Sequence, residues 1–359
     1  MDSIKNKKRV EYFDISRGIA MIAVIIGHSL MTYSSGFLHS VIYAFHMPIF
    51  FIISGYFYRE RTIKGTLKNG TKKLLLPYAV TILIAATFRF FLEARILGPM
   101  LGNTMWTNES WNDFWLSSIL GMGWSGNTPF GFVPYFIGPL WFLMALFWTD
   151  LLMVIIFKIS RNNEMLRAVM IAVISICSII VSGKFVLPFS LSAGMMGLCF
   201  SYVGFLFRKF KILDKKIDYF TLVCLFLIFL AAVKYGVYTL SMVQARDHFI
   251  AILGAISGSF LLLKLSQLLE KKFIRLQRFL SWIGKYSLFV FIIHSLDLTI
   301  SSYEGFWYSN ILIFSDRLIS TLSFIAFRLI VSIAGAFVIV MFSSNLKERM
   351  MIFKINELR

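Results

Sequence analysis

Ten times along its 359 residues this chain runs apolar for long enough to cross a bilayer, and no single water-facing core could hold that many such runs. Crossing the hydrocarbon takes roughly 20 apolar residues. The runs lie at about residues 12–33, 41–58, 74–94, 138–157, 168–186, 190–207, 217–237, 248–268, 279–300 and 319–343. The fifth and sixth are divided only by a short turn around Pro188. Composition agrees: 58% of residues are hydrophobic and 15% charged, against about 25% charged in soluble proteins. The 38 phenylalanines suit lipid-facing and interhelical packing. The first run carries polar, patterned residues and no small-x-small cleavage site, so it reads as a span rather than a cleaved signal. The expected fold is all-α: a polytopic integral membrane protein of about ten transmembrane helices, forming one domain over residues 1–359.

The formal charge of +18 would suggest nucleic-acid binding in a soluble protein. Here the basic residues fall in short clusters between apolar runs, which is the pattern of an orientation signal and of no nucleic-acid partner. With the N-terminus in the cytoplasm, the inner segments are 1–10, 58–73, 158–167, 208–216, 270–278 and 345–359. They hold 4, 6, 3, 5, 4 and 4 basic residues, 26 of the 36 in the chain. An odd number of spans would break the alternation. Ten spans with both termini cytoplasmic, in the plasma membrane, are therefore expected. Cys177, Cys199 and Cys224 lie inside apolar runs without CxxC or Cys/His spacing. Neither a disulfide nor a metal site is expected of them. No inverted repeat of the transporter kind is visible in the sequence.

The longest outer segment, about 96–137, has no Lys or Arg but carries Trp106, Trp111, Trp115 and Trp124. Loops of this length in compact proteins are functional or disordered. Two readings stand: an interfacial aromatic belt, or a lid or platform on which a sugar stacks.

Ionisable groups inside spans are costly and are functional candidates by default. The first span holds Asp14, Arg17 and His28, with Ser29 next to the histidine. Eleven residues separate Arg17 from His28, close to three helical turns, so both lie on one face about 16 Å apart along the axis. Arg17 falls near the cytoplasmic end and His28 in the outer half. Taken alone, Arg17 could snorkel to the interface and His28 could serve as interhelical glue. His46 opens the second span and His294 lies well into the ninth, both at roughly the depth of His28. Three of the five histidines at one level are hard to explain as packing. Ser54, Trp141 and Ser287 sit in polar or bent segments near these residues.

Taken together, these segments resemble the membrane acyltransferases of the acyltransferase-3 type, especially their fucose 4-O-acetylase-like members. The resemblance runs through Asp14-Ile15-Ser16-Arg17-Gly18, Ile26-Gly27-His28-Ser29, Phe45-His46-Met47-Pro48, Ser54-Gly55-Tyr56 and Leu76-Pro77-Tyr78. It returns at Gly138-Pro139-Leu140-Trp141-Phe142 and at Ile283-Gly284-Lys285-Tyr286-Ser287-Leu288 with His294. The family's mark is a basic residue, ten residues, then histidine, which Arg17 and His28 satisfy. The resemblance implies acyl transfer, commonly of acetyl, from a cytoplasmic acyl-CoA to hydroxyls of extracytoplasmic carbohydrate: exopolysaccharide, capsule or cell-wall glycan. His28 would then be catalytic and Arg17 its partner, with no bound cofactor and acetyl-CoA as co-substrate. Membrane lipids and polysaccharide-biosynthesis proteins would be its partners. Many members carry Arg-x-x-Arg after the second span; here Arg59-Glu60-Arg61 and then Lys72-Lys73 keep the charge but not the pattern. Lysine offers a point charge without the guanidinium fork. These four residues are the candidate donor-binding groups.

The chemistry agrees on separate grounds. Transfer to a hydroxyl needs a base for its proton, and histidine titrates in the right range. His28 would act as general base or as transient acyl carrier. Ten spans with intramembrane charges also suit a transporter or flippase exporting a glycan intermediate, which is the rival reading.

Overall fold

The computed structural model describes residues 10–30, 36–93, 110–134, 136–300 and 317–357. Inside hydrocarbon every backbone amide needs an internal partner, which a helix supplies residue by residue. The described residues accordingly form helices and no strand, with one isolated bridge between Thr239 and Gln244. In chain order the helices are α1 (Glu11–Ser29), α2 (Phe37–Tyr43), α3 (Pro48–Tyr56), α4 (Ile63–Gly70), α5 (Leu76–Glu93), α6 (Trp111–Leu120) and α7 (Trp141–Ser160). Then come α8 (Glu164–Ser182), α9 (Leu191–Lys209), α10 (Tyr219–Tyr235), α11 (His248–Lys272), α12 (Ile274–Lys285), α13 (Ser287–Ile300) and α14 (Arg317–Glu357).

Seven helical stretches among the described residues are long and apolar enough to cross a membrane, and an eighth if α12 and α13 count as one bent span. This is an all-α polytopic membrane protein. Of the other two expected spans, the first is the 19-residue α1 with its polar residues, and the seventh is α10, a helix of 17 residues.

Three expected spans are less regular than the hydropathy suggests. The second divides into α2 and α3 across a turn at 44–47, because Pro48 has no N–H to give the preceding turn. The third extends back through a π turn, Thr71–Leu75, into α4, and the whole stretch Ile63–Phe91 is span-like. The ninth is broken: α12 and α13 meet at an angle of 70°.

The segments expected on one side of the membrane do gather at one end of the bundle. Arg208 donates to the Tyr58 carbonyl, and Lys209 pairs with Glu164 at 2.8 Å. Lys264 Nζ donates to the Leu213 carbonyl at 2.7 Å, and Gln277 donates to Glu11. At the opposite end, the Val186 amide donates to the Asn127 carbonyl at 2.8 Å and Ser190 Oγ to the Gly121 carbonyl at 2.7 Å. Part of the aromatic segment is also there. Trp111 and Trp115 lie on α6, whose Phe114 is buried, and the Tyr78 hydroxyl of α5 donates to the Ser118 carbonyl. Arg89 stacks on Trp111 at 4.5 Å, so this part packs as a helix on the bundle. Trp106 lies outside the described residues.

Glycines set the two tightest crossings. A Cβ on Gly284 of α12 would stand 1.7 Å from the Asp14 carbonyl oxygen of α1, and one on Gly18 2.1 Å from the Leu280 carbonyl oxygen. The same reciprocal contact joins α3 to α9 through Gly55 and Gly204. Without a hydrophobic drive between helices in lipid, such close backbone approach is what packs them. The Ser16 and Ser266 hydroxyls meet at 2.8 Å to pin α1 to α11. Thus α1, the helix carrying Arg17 and His28, is held at the centre, with most of its residues buried.

Candidate active site

A largely apolar lining with a few polar groups is the usual character of a ligand site, and a cavity among the described residues has it. It encloses about 420 Å³ and is open to one side. Arg17, Arg59, Arg61 and Lys73 contribute to its wall, so four cations face a single space. Deeper in, Ser54 of α3 donates to Asp150 Oδ1 of α7 at 3.1 Å. Beyond these lie apolar side chains, among them Met21, Val24, Met47, Phe142 and Phe291, together with Ser287.

Helical periodicity explains why these side chains share a wall. On α1, Arg17, Met21 and Val24 follow the spacing of one helical face. On α13, Leu288 and Phe291 do the same. Continuing along each face by one turn gives His28 and His294. The two imidazoles meet there: His28 Nδ1 and His294 Nε2 are 3.0 Å apart, with ring planes within 7° of parallel. One of these nitrogens carries the shared proton and the other accepts it. His28 is half-buried and His294 is fully buried. The pair thus lies about 6 Å of helix rise past Val24, just outside the apolar end of the cavity.

The site residues expected from sequence divide into three groups. His28 and His294 come together in direct contact. Arg17, Ser54, Ser287, Arg59, Arg61 and Lys73 come together around the cavity, with Asp14 behind Arg17 at 3.2 Å. The remaining four are placed elsewhere. Ser29 spends its hydroxyl on the Ile25 carbonyl of its own helix at 2.7 Å. His46 is buried, and its Nδ1–H donates to the Ile42 carbonyl at 3.0 Å while its ring leans on Tyr43. Trp141 is buried, packed edge-on to Phe142, and does not line the cavity. Lys72, in the π turn, is exposed and absent from the cavity wall, while its neighbour Lys73 contributes to it. Neighbouring residues of a helix point about 100° apart, so two adjacent lysines cannot both face one cavity.

Three charged residues escaped the sequence reading: Asp150, Asp297 and Arg328. Arg328 of α14 stands with its Nε 3.1 Å from Asp297 Oδ2 of α13. All three lie inside apolar runs, so the rule that selected Asp14 and Arg17 would have found them.

A family model described as an acyltransferase domain matches residues 10–341, nearly the whole chain. No curated protein and no solved structure matches it.

Proposed function

The chain belongs to the acyltransferase-3 family, and on that premise we propose that this membrane acyltransferase moves an acyl group, acetyl foremost, from a cytoplasmic acyl-CoA to a hydroxyl of an extracytoplasmic carbohydrate. Exopolysaccharide, capsule and cell-wall glycan are the acceptor class. The observation that carries this reading is a single line of side chains. It starts at four cations around a cavity mouth and ends, one turn past the cavity's apolar end, at two touching histidines.

Each part has a task in that reaction. The phosphates of CoA are anions, and Arg17, Arg59, Arg61 and Lys73 supply the charge to hold them. Arg17 offers a planar fork and Lys73 a point charge, so the two hold phosphate differently. The apolar side chains at the far end give the thioester a surrounding of low polarity, which strengthens polar contacts made there. The basic segments expected in the cytoplasm cluster at one end of the bundle, which supports donor entry from that side.

At the other end the carbohydrate hydroxyl attacks the thioester carbonyl. A C–O bond forms, the C–S bond breaks, and the hydroxyl proton goes to the free nitrogen of His28 before passing to the departing thiolate. If His28 instead carries the acyl group, the same nitrogen attacks first and the hydroxyl second. Rapid-quench kinetics separates the two: an acyl carrier gives a burst of free CoA before any acceptor is added, and a base gives none.

The test is transfer of radiolabelled acetyl from acetyl-CoA to polysaccharide by the purified chain, compared with His28→Ala. A positioned base contributes about 10²–10⁴-fold, so the variant should lose activity on that scale while staying folded. Full activity in His28→Ala would remove the histidine from the mechanism. Movement of polysaccharide across the membrane without acetylation would turn the reading to export.

A further inference from the structure

His28 is the last residue but one of α1, so its carbonyl is among the four at a helix end that no amide of the helix can reach. Arg328, arriving from α14, donates to it, with Nη1 3.2 Å from the His28 carbonyl oxygen. The Nε of the same guanidinium lies 3.1 Å from Asp297 Oδ2. Asp297 stands three residues beyond His294 on α13, on the same face. The two side chains are only 3% and 4% exposed, and the guanidinium rests on the Phe324 ring at 4.3 Å. One cation therefore fastens three helices together at the level of the two imidazoles.

The cost of this arrangement argues against a packing role. Burying a charged pair seldom adds stability over an apolar pair of the same size. Ionisable residues in the membrane-spanning part of a protein are expensive and mark function. A cation at a helix C-terminus does favour that terminus, and here the terminus is the turn that carries His28. No glycine closes α1 after its last turn; Leu30 follows, with φ −87° and ψ 21°, outside the helical region.

We propose that Arg328 and Asp297 are positioning residues for acyl transfer. Arg328 caps α1 at His28, and Asp297 anchors the guanidinium to the helix that presents His294. Together they hold the two rings at hydrogen-bond distance. The proposal rests on the acyltransferase reading of His28. Neither residue touches a reacting atom, and neither is needed to bind the donor, since neither lines the cavity.

The experiment uses the full chain purified in detergent and the neutral double variant Asp297→Asn/Arg328→Met, which leaves no unpaired buried charge. The expected result is a folded protein whose kcat falls on the order of 10²-fold, the size of effect that misplacing a catalytic group by about 1 Å produces. KM for acetyl-CoA stays within about two-fold. Arg328→Lys, which keeps the charge and hydrogen-bond donors but not the planar fork, recovers part of the loss. Wild-type kcat in the folded double variant would overturn the proposal, as would a loss wholly in KM, or Arg328→Lys no better than the double variant. If the double variant does not fold, Asp297→Glu is read in the same way. Histidine-selective 15N NMR, assigned with His28→Ala and His294→Ala, gives a readout that needs no reaction. The signature of the hydrogen bond between the rings should disappear in the double variant, and its persistence there would refute the clamp. A wild-type chain that transfers no acetyl would defeat the acyltransferase reading, while the NMR comparison would still decide on the clamp.

Discussion

Lys72 and Lys73 are identical in the sequence and different in the molecule. Both are exposed, but Lys73 lines the cavity and Lys72 does not. If phosphates enter this cavity, Lys73→Ala raises KM for acetyl-CoA several-fold and Lys72→Ala changes it less than about two-fold. Steady-state kinetics on the two variants checks this, and equal effects would argue against the cavity as donor site. Arg17 is a sharper case. Its Nη1 is 3.2 Å from Asp14 Oδ1, and 28% of its side chain is open toward the cavity side. Lysine would keep the charge but lose the planar fork that can meet a carboxylate on one edge and a phosphate on another. Arg17→Lys should lose about ten-fold in kcat/KM, equivalent to about 1.4 kcal/mol, at normal expression. Full activity would show that the fork is not used.

Among the elements, the helix crossings depend most narrowly on single residues. A Cβ at Gly284 meets backbone at 1.7 Å, so α12 must move away from α1 to admit it. At Gly183 the nearest atoms would stand at 3.5 Å, an ordinary contact. Gly284→Ala should therefore cost about 1–3 kcal/mol and lower the melting temperature in detergent, while Gly183→Ala should leave it near wild type. Equal melting temperatures would contradict the close crossing. The elements also show where the sequence was readable. Long apolar runs found the membrane helices, and Pro48 marked the turn that divides the second of them. The 70° break between α12 and α13 falls at Lys285-Tyr286-Ser287, beside Gly284, in a segment whose glycine and serine allowed either a kink or close packing. The eleven-residue spacing from Arg17 gave His28, and depth gave His294. Depth also suggested His46, but its ring is tied to the Ile42 carbonyl of the preceding helix α2, and distance along a membrane normal says nothing of which way a side chain faces. Asp297 and Arg328 needed only the same attention to intramembrane charge. Their pairing across α13 and α14 is a tertiary fact that no local pattern encodes.

For the whole molecule the claim is directional: donor from one face, acceptor from the other, with the histidine pair between. Basic segments meet at one end of the bundle and the α6 segment packs at the other. In a cysteine-free background, a membrane-impermeant thiol reagent applied to whole cells should label a cysteine placed at Trp124 but not one at Lys216. The reverse result would invert the topology and with it the donor face. The central measurement joins direction to chemistry in sealed vesicles whose basic face points outward. Radiolabelled acetyl-CoA is added outside and acceptor polysaccharide is enclosed within. Label should accumulate on the enclosed polysaccharide with the wild-type chain and fall to background with His28→Ala. Equal labelling by both proteins, or labelling only when donor and acceptor share one side, would contradict the account.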